Sequence, residues 1–157
     1  MARSEIAAAL DRAEAACAAR GANLTEVRRQ VLGLILEAKQ PVGAYALLDR
    51  LKEARAGAAP PTVYRALDFL LEQGLVHKVE RLNAFVACGT HDHDGHAHPA
   101  QLLVCRNCHA VTELDDHNVA HAIAKAAAAA GFKPARATVE VEGLCARCAR
   151  RQVTLSP

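Results

Sequence analysis

The sequence predicts an α+β protein made of two small domains. Residues 5–74 repeat apolar side chains at helical spacing, whereas short alternating runs typical of strands begin at residue 75. All eight histidines lie between His77 and His121, so the chemical character of the chain changes where the helices end. The predicted division is a first domain at 1–88, a hinge at 89–100 and a second domain at 101–157.

The composition supports folded domains with thin cores. Of the 157 residues, 52% are hydrophobic, but only 3% are aromatic and many of the others are alanine. Small domains of this kind often need a metal ion or a partner subunit for stability. The net charge of +2 is too small to indicate nucleic-acid binding by itself, and a local basic patch would suffice for it.

The N-terminal residues carry charges every few positions and lack the apolar region of a signal peptide. Apolar runs are all shorter than the roughly 18 residues of a membrane span, so we expect no membrane partner. These features predict a cytoplasmic protein. Thiols stay reduced in that compartment, and paired Cys-x-x-Cys motifs there indicate metal sites before disulfides.

Four helices are predicted before the first strand. Thr25 can cap the second helix, and Pro61 and Gly74 suit the first position and the residue after the end of the fourth. The predicted buried residues on these four helices are Ile6, Leu10, Ala13, Cys17, Val27, Val31, Leu34, Ile35, Leu47, Leu48, Leu51, Val63, Leu67, Leu70 and Leu71.

The fourth helix exposes Tyr64 and Arg65 near its N-terminus, an arrangement typical of a helix-turn-helix that binds DNA. A solvated polar face is the alternative. Two alternating runs flanking Leu82-Asn83 then predict a hairpin, which completes a winged helix. With these two residues as the turn, His77 and Cys88 pair directly, at ligand distance.

The second domain is predicted to contain strands at 102–104, 110–114 and 135–142 and a helix at 116–130. Ala137, Val139 and Val141 form the predicted buried face of the last strand.

Two Cys-x-x-Cys pairs lie at opposite ends of this domain. They can present four thiolates to one tetrahedral zinc ion, which would close a long loop and contribute to folding. The first pair is followed by histidine, as in a c-type haem attachment motif, but the second pair favours zinc. The predicted structural zinc ligands are Cys105, Cys108, Cys145 and Cys148.

A second group of ligands comprises His77, Cys88, one or more of the histidines at 91–98, and Glu113. A thiolate beside imidazoles suits zinc better than iron or manganese. Four protein ligands leave no position for water, and no HExxH motif occurs, so a zinc hydrolase is disfavoured. The histidine-rich run alone also fits a zinc storage or delivery protein.

The run PPTVYRALDFLLEQGLVHKVE, followed by CRNC and CARC, resembles the Fur family of metalloregulators, and most of all its zinc uptake regulator branch. The resemblance covers about residues 5–150. It implies an N-terminal winged helix, a C-terminal αβ dimerisation domain, and a homodimer that binds double-stranded operator DNA. It therefore implies a zinc-responsive repressor of zinc uptake genes, with no enzymatic activity and no small-molecule substrate.

When the family's positions are matched to this sequence, the resemblance assigns the two cysteine pairs to a structural zinc ion. It assigns a second set of ligands to a regulatory zinc ion, which gives two ions per chain. The regulatory ligands are His77, Cys88, His98 and Glu113. The implied DNA contacts are Tyr45, Tyr64 and Arg65, with Arg28 and Thr62 on phosphates. The family's frequent HHDH run is absent. His91, His93, His96, His117 and His121 are candidates for another site or for metal scavenging. The alternatives left open are an iron or peroxide sensor of the same family and a zinc storage protein.

Overall fold

The computed structural model describes residues 3–89, 100–135 and 137–153. The chain forms two compact units, Met1–Gly95 and His96–Pro157. The predicted domain limits fall close to this division, but most of the predicted hinge lies outside the described residues, so its limits stay predictions. The elements are α1 (Arg3–Ala19), α2 (Glu26–Glu37), α3 (Ala44–Ala54), α4 (Pro60–Glu72), β1 (Val76–Val79), β2 (Ala84–Ala87), β3 (Ala100–Cys105), β4 (Val111–Leu114), α5 (His117–Ala129), β5 (Thr138–Gly143) and α6 (Ala146–Val153).

The four helices of the first unit pack through the stripes that the sequence predicts. The cluster at their centre includes Val31, Leu47, Leu51, Leu67 and Leu70, all almost fully buried. Ion pairs join the helices at the surface; the most closely spaced connect α2 to α1. These are Arg29 with Asp11 at 2.6 Å and Arg29 with Glu14 at 2.8 Å.

The ends of two helices differ in detail from the prediction. Thr25 does occupy the position before α2, but its side chain makes no capping hydrogen bond. Helix α4 begins at Pro60, one residue before the predicted Pro61, because the first helical amides need no intrahelical acceptor and both prolines fit there. Gly74 has φ 69, a left-handed conformation that lets the chain leave α4 and enter β1 at once.

A hairpin of β1 and β2 follows α4 and confirms the winged helix. Val42, in the loop before α3, exchanges two backbone hydrogen bonds with Phe85 of β2, at 3.0 and 2.9 Å. Val76 and Phe85 both join the helical core, so this face of the wing packs on the helices. This hairpin, the wing, is therefore attached to the helices in two ways: by backbone hydrogen bonds to the loop before α3 and by apolar packing.

In the second unit, β3 is the central strand of a three-stranded sheet in the order β4-β3-β5. Strand β4 is antiparallel to β3, and β5 is parallel to it after the crossover through α5. Asp116 caps α5, since its carboxylate accepts the amide hydrogens of Asn118 and Val119 at 2.8 and 3.4 Å.

The described residues of α5 include no buried side chain, and Val141 of β5 is 51% exposed. The predicted strand is present, and on its predicted apolar face Ala137 and Val139 are half-buried, whereas Val141 is exposed in the single chain. Among the described residues no helix is long and apolar enough to span a membrane.

Candidate metal centres and nucleic-acid interface

Parallel pairing of β3 and β5 brings the two Cys-x-x-Cys motifs together. Cys105 ends β3 and pairs with Gly143 at the end of β5, and Arg106 donates its backbone N–H to Gly143 O at 2.9 Å. The second motif begins two residues later, so it starts beside the first. All four sulfur atoms lie within 4.8 Å of one another, with Cys108 Sγ and Cys145 Sγ 3.7 Å apart; the four are Cys105, Cys108, Cys145 and Cys148.

Backbone hydrogen bonds shape the turn around these sulfurs. Cys105 donates its N–H to Ala110 O, and His109 donates its N–H to Cys105 O, both at 2.9 Å. His109 has φ 57, which reverses the chain after Cys108. The amide of Cys145 donates to Cys105 Sγ at 3.4 Å, so an N–H group points at a sulfur of the cluster.

The pKa values of three of these thiols shift in different directions. Hydrogen bonds from backbone amides, that of Cys145 first, lower the pKa of Cys105 to about 6. The amide of Ala110 and then the Arg147 guanidinium lower the pKa of Cys108. Cys148 accepts a hydrogen bond from Asn107 that favours its thiolate, but burial and the neighbouring sulfurs outweigh it and raise its pKa to about 11.

Such opposite shifts are expected of thiols packed at close range, because each thiolate formed repels the next and makes it harder to form. A divalent cation removes that repulsion. Four mutually close sulfurs with N–H donors fit a closed tetrahedral zinc site and leave no position for a substrate. The donor set suits a structural ion rather than a catalytic one.

The second predicted site has two ligands in the wing, and the predicted register between them is wrong. His77 pairs with Val86, and Cys88 donates its N–H to Leu75 O at 3.0 Å. The reason is the turn, which spans Glu80 to Asn83 as a short 3-10 helix with Asn83 left-handed at φ 45, instead of two residues.

The shift amounts to two positions, so His77 and Cys88 remain on the same face as diagonal neighbours. Their ligand atoms lie within 4.8 Å of each other. Both side chains are buried, at 8% and 7% exposed. This face is opposite to the one that carries Val76 and Phe85 into the helical core, so a metal ion can bind to the wing without entering that core.

The remaining predicted ligands are distributed as follows. Glu113 lies on β4, half-buried, paired with Leu102 of β3 in the second unit. His117 and His121 are exposed, one turn apart on α5, and join no group of three metal-binding side chains among the residues that the structure describes. His91, His93, His96 and His98 lie outside the described residues.

Four of the five predicted DNA-binding residues lie on α3 and α4, which pack against each other, and Arg28 lies on α2. Tyr45 and Tyr64 are 69% and 45% exposed, and in the described part of the first unit they are the exposed large apolar side chains. Arg65 is exposed, and in the described part of the chain its guanidinium makes no hydrogen bond or ion pair. Thr62 is half-buried, and its hydroxyl accepts the Ala59 N–H at 3.4 Å, which fixes the first turn of α4.

Arg28 has a different environment from Arg65. Its Nη1 donates to Asn23 O at 2.6 Å, and its guanidinium lies 3.7 Å above the centre of the Phe69 ring. The sequence suggested a phosphate contact for Arg28 and missed both of these contacts, as it missed Arg147 beside Cys108.

Comparison with known proteins agrees with this architecture. The Ferric uptake regulator family model matches residues 19–142. The zinc uptake regulation protein of Escherichia coli (strain K12) is 43% identical over 148 residues, which cover 94% of this chain and 85% of that protein. A second such relative, from Mycobacterium tuberculosis, is 29% identical over 133 residues, which cover 83% of this chain and 97% of that protein.

Solved structures give the same result. A zinc uptake regulator complexed with zinc and DNA matches with a TM-score of 0.86 at 42% identity, covering 94% of this chain and 97% of that one. Holo XcZur matches with a TM-score of 0.82 at 47% identity, covering 95% and 99%. The resemblance found in the sequence is therefore confirmed, and the chain belongs to the Ferric uptake regulator (Fur) family.

Proposed function

We propose that this protein is a zinc-responsive transcriptional repressor, which binds operator DNA as a zinc-loaded homodimer and controls zinc uptake genes. One observation carries the proposal: the wing that follows the recognition helix holds a buried histidine and a buried cysteine at ligand distance, His77 and Cys88. The likeness to a zinc uptake regulator complexed with zinc and DNA supports the same function.

The DNA-binding surface is the exposed side of α4 with the start of α3. A recognition helix enters the major groove with the residues near its N-terminus closest to the bases. Arg65, with its guanidinium exposed, is suited to a bidentate contact with guanine, and Tyr64 to a thymine methyl group or a phosphate. Tyr45 adds a second exposed aromatic contact from α3, and Thr62 is proposed next to a phosphate.

The regulatory zinc is proposed to bind His77, Cys88, His98 and Glu113. These residues would supply one thiolate, two imidazoles and one carboxylate, a complete tetrahedral set for zinc. Because the ligands come from the wing, the hinge and the second unit, closing them around one ion would restrict the wing. When bound, zinc supplies charge compensation for the thiolate and carboxylate and a fixed tetrahedral geometry.

The structural zinc is proposed to bind the four clustered sulfurs of the second unit, giving two ions per chain. The close packing of these sulfurs and the N–H donors directed at them support the assignment. The two sites differ in their donors, since one has four thiolates and the other only one. We therefore expect the structural ion to be retained during chelation that removes the regulatory ion.

Homodimer formation is proposed through the second unit. Its exposed apolar side chains include Phe132 at 67% and Val141 at 51%, together with Ile123, Leu103 and Leu114. A surface of this kind in so small a unit indicates a partner. In the dimer, two copies of α4 can reach successive major grooves only if they lie about 34 Å apart.

The experiment measures zinc per chain and duplex binding by fluorescence anisotropy, with and without a chelator. We expect two ions per chain, and DNA binding that disappears when the regulatory ion is removed. In Cys88→Ser, zinc-dependent binding should be lost while one ion remains. Operator affinity that is unchanged in the metal-free protein would refute the proposal.

The same assay with iron(II), manganese and peroxide separates the alternative sensors of this family, which Cys88 as a ligand disfavours. A zinc storage or delivery protein would bind metal without zinc-dependent recognition of DNA. As a DNA-binding regulator, the protein is proposed to act in the cytoplasm without catalytic activity, since a fully ligated zinc ion offers no position for a substrate.

A further inference from the structure

Arg28 connects α2 with the loop that precedes it and with α4. It lies on α2, donates to the carbonyl of Asn23 in the loop after α1 at 2.6 Å, and stacks on Phe69 of α4 at 3.7 Å. Both Arg28 and Phe69 are half-buried, so water screens this stack less than a fully exposed pair. The guanidinium is therefore held by two contacts, a hydrogen bond from Nη1 and a stack on the Phe69 ring.

Phe69 is on the side of α4 that presents the proposed base contact. Arg65 precedes it by four residues, and Thr62 by seven, so the three side chains lie along one side of the helix at successive turns. The buried stripe of α4 holds the helix on the core. Phe69 lies off the centre of this stripe, so a contact there adds to the restraint on rotation of the helix about its axis.

The next residue on α2 has a different role. Arg29 forms ion pairs with Asp11 and Glu14 of α1. Two adjacent arginines on one helix thus point to different neighbours, one to α1 and one to the recognition helix. Arg29 is a matched control for the charge and the helix position of Arg28.

We propose that Arg28 is a positioning residue for DNA reading: by stacking on Phe69 it sets the orientation of α4, and hence of Arg65, towards the base pairs. This inference rests on the proposed function. It differs from a phosphate contact, in which Arg28 would add affinity for any duplex and would not depend on Phe69.

The test uses full-length, zinc-loaded protein and the variants Arg28→Met, Arg28→Lys, Phe69→Leu, the Arg28→Met/Phe69→Leu double variant, and Arg29→Met. The probes are a duplex that the wild-type protein enriches from random-sequence DNA and a shuffled duplex of the same length. Affinity for both is measured over a range of salt concentrations. Amide hydrogen exchange in α4 is measured without DNA.

Loss of a partly buried cation–π contact should weaken binding to the enriched duplex about two- to thirtyfold. We expect this loss in Arg28→Met and in Phe69→Leu, no further loss in the double variant, and unchanged affinity for the shuffled duplex. Exchange in α4 should accelerate in the same variants. Arg28→Lys should restore part of the loss, and Arg29→Met should leave both α4 exchange and the preference for the enriched duplex unchanged.

A different pattern overturns the proposal. If Arg28→Met weakens binding to both duplexes equally and reduces the salt dependence by about one counterion, while Phe69→Leu has no effect, Arg28 is a phosphate contact. Additive losses in the double variant would also contradict it. If the wild-type protein enriches no duplex, the proposed function fails, and the exchange rates in α4 still decide whether Arg28 and Phe69 act together.

Discussion

Replacing Cys145 by serine removes one of the four sulfurs clustered in the second unit. Among the described residues, this unit buries only two large aliphatic side chains, Leu102 and Val104. Their burial contributes about 3–6 kcal/mol in all. A structural zinc ion contributes about 10–16 kcal/mol in small domains that fold around it, and a serine hydroxyl is a poor replacement for a thiolate.

We therefore expect Cys145→Ser to lose the cooperative structure of residues 100–153 while residues 3–89 stay folded. The helical core of the first unit contains none of the four clustered cysteines, so it has no direct dependence on that ion. Amide hydrogen exchange followed by mass spectrometry measures the two units separately. Zinc per chain, measured on the same samples, should fall.

Cys17→Ala is the matched control, because Cys17 is a fully buried thiol in the helical core. It should weaken protection in the first unit and leave β3 and β5 protected. If β3 and β5 remained protected in Cys145→Ser, apolar packing instead of the metal would hold the second unit, and the reasoning would be refuted.

Three further changes test other parts of the structure. Leu67→Ala empties a position in the helical core that is 1% exposed, and should reduce the free energy of unfolding of the first unit by about 2–5 kcal/mol in urea titrations. Asp116→Ala removes both capping hydrogen bonds of α5 and should cost about 0.5–2 kcal/mol, whereas Asp115→Ala next to it, which has no capping bond, serves as its control. Arg65→Ala should weaken binding to a preferred duplex by about 1–3 kcal/mol and relax the preference at one base pair, measured by anisotropy with single-base variants; an equal loss on all sequences would instead indicate a phosphate contact.

The helices were predictable because their signal is local. Leu47, Leu48 and Leu51 repeat at helical spacing and are all buried in α3, and Gly74 ends α4 with the expected left-handed conformation. The Cys-x-x-Cys pairs were predictable as one cluster because their chemistry limits the alternatives. That the parallel pairing of Cys105 with Gly143 brings them together could be learned only from the fold.

The hairpin register depended on a turn whose type the sequence did not specify. The sequence predicts a two-residue turn at Leu82-Asn83, whereas the left-handed Asn83 closes a longer one. Side chains alternate between faces with a period of two, so an error of two positions preserved the face and kept His77 near Cys88. An error of one position would have separated them.

The exposure of Val141 on β5 could not be predicted from the sequence for a different reason. The alternation of Val139 and Val141 indicates that one face is apolar, but it does not indicate whether the cover comes from the same chain. Val141 is 51% exposed in the single chain. An apolar strand position that stays exposed in the single chain is expected where a second subunit packs against the strand.

If zinc binds His77 and Cys88 as proposed, strand β1 links metal binding to the position of α4. Strand β1 begins four residues after α4 ends, and its two faces differ: Val76 packs into the helical core, whereas His77 lies on the opposite face near Cys88. A ligand that restrains His77 therefore restrains the strand whose other face packs beside α4. If zinc favours the DNA-binding orientation of α4 in this way, DNA must tighten zinc binding by the same factor. Zinc titrations with and without a preferred duplex measure that factor, and equal zinc affinities in the two titrations would rule out the route through the wing.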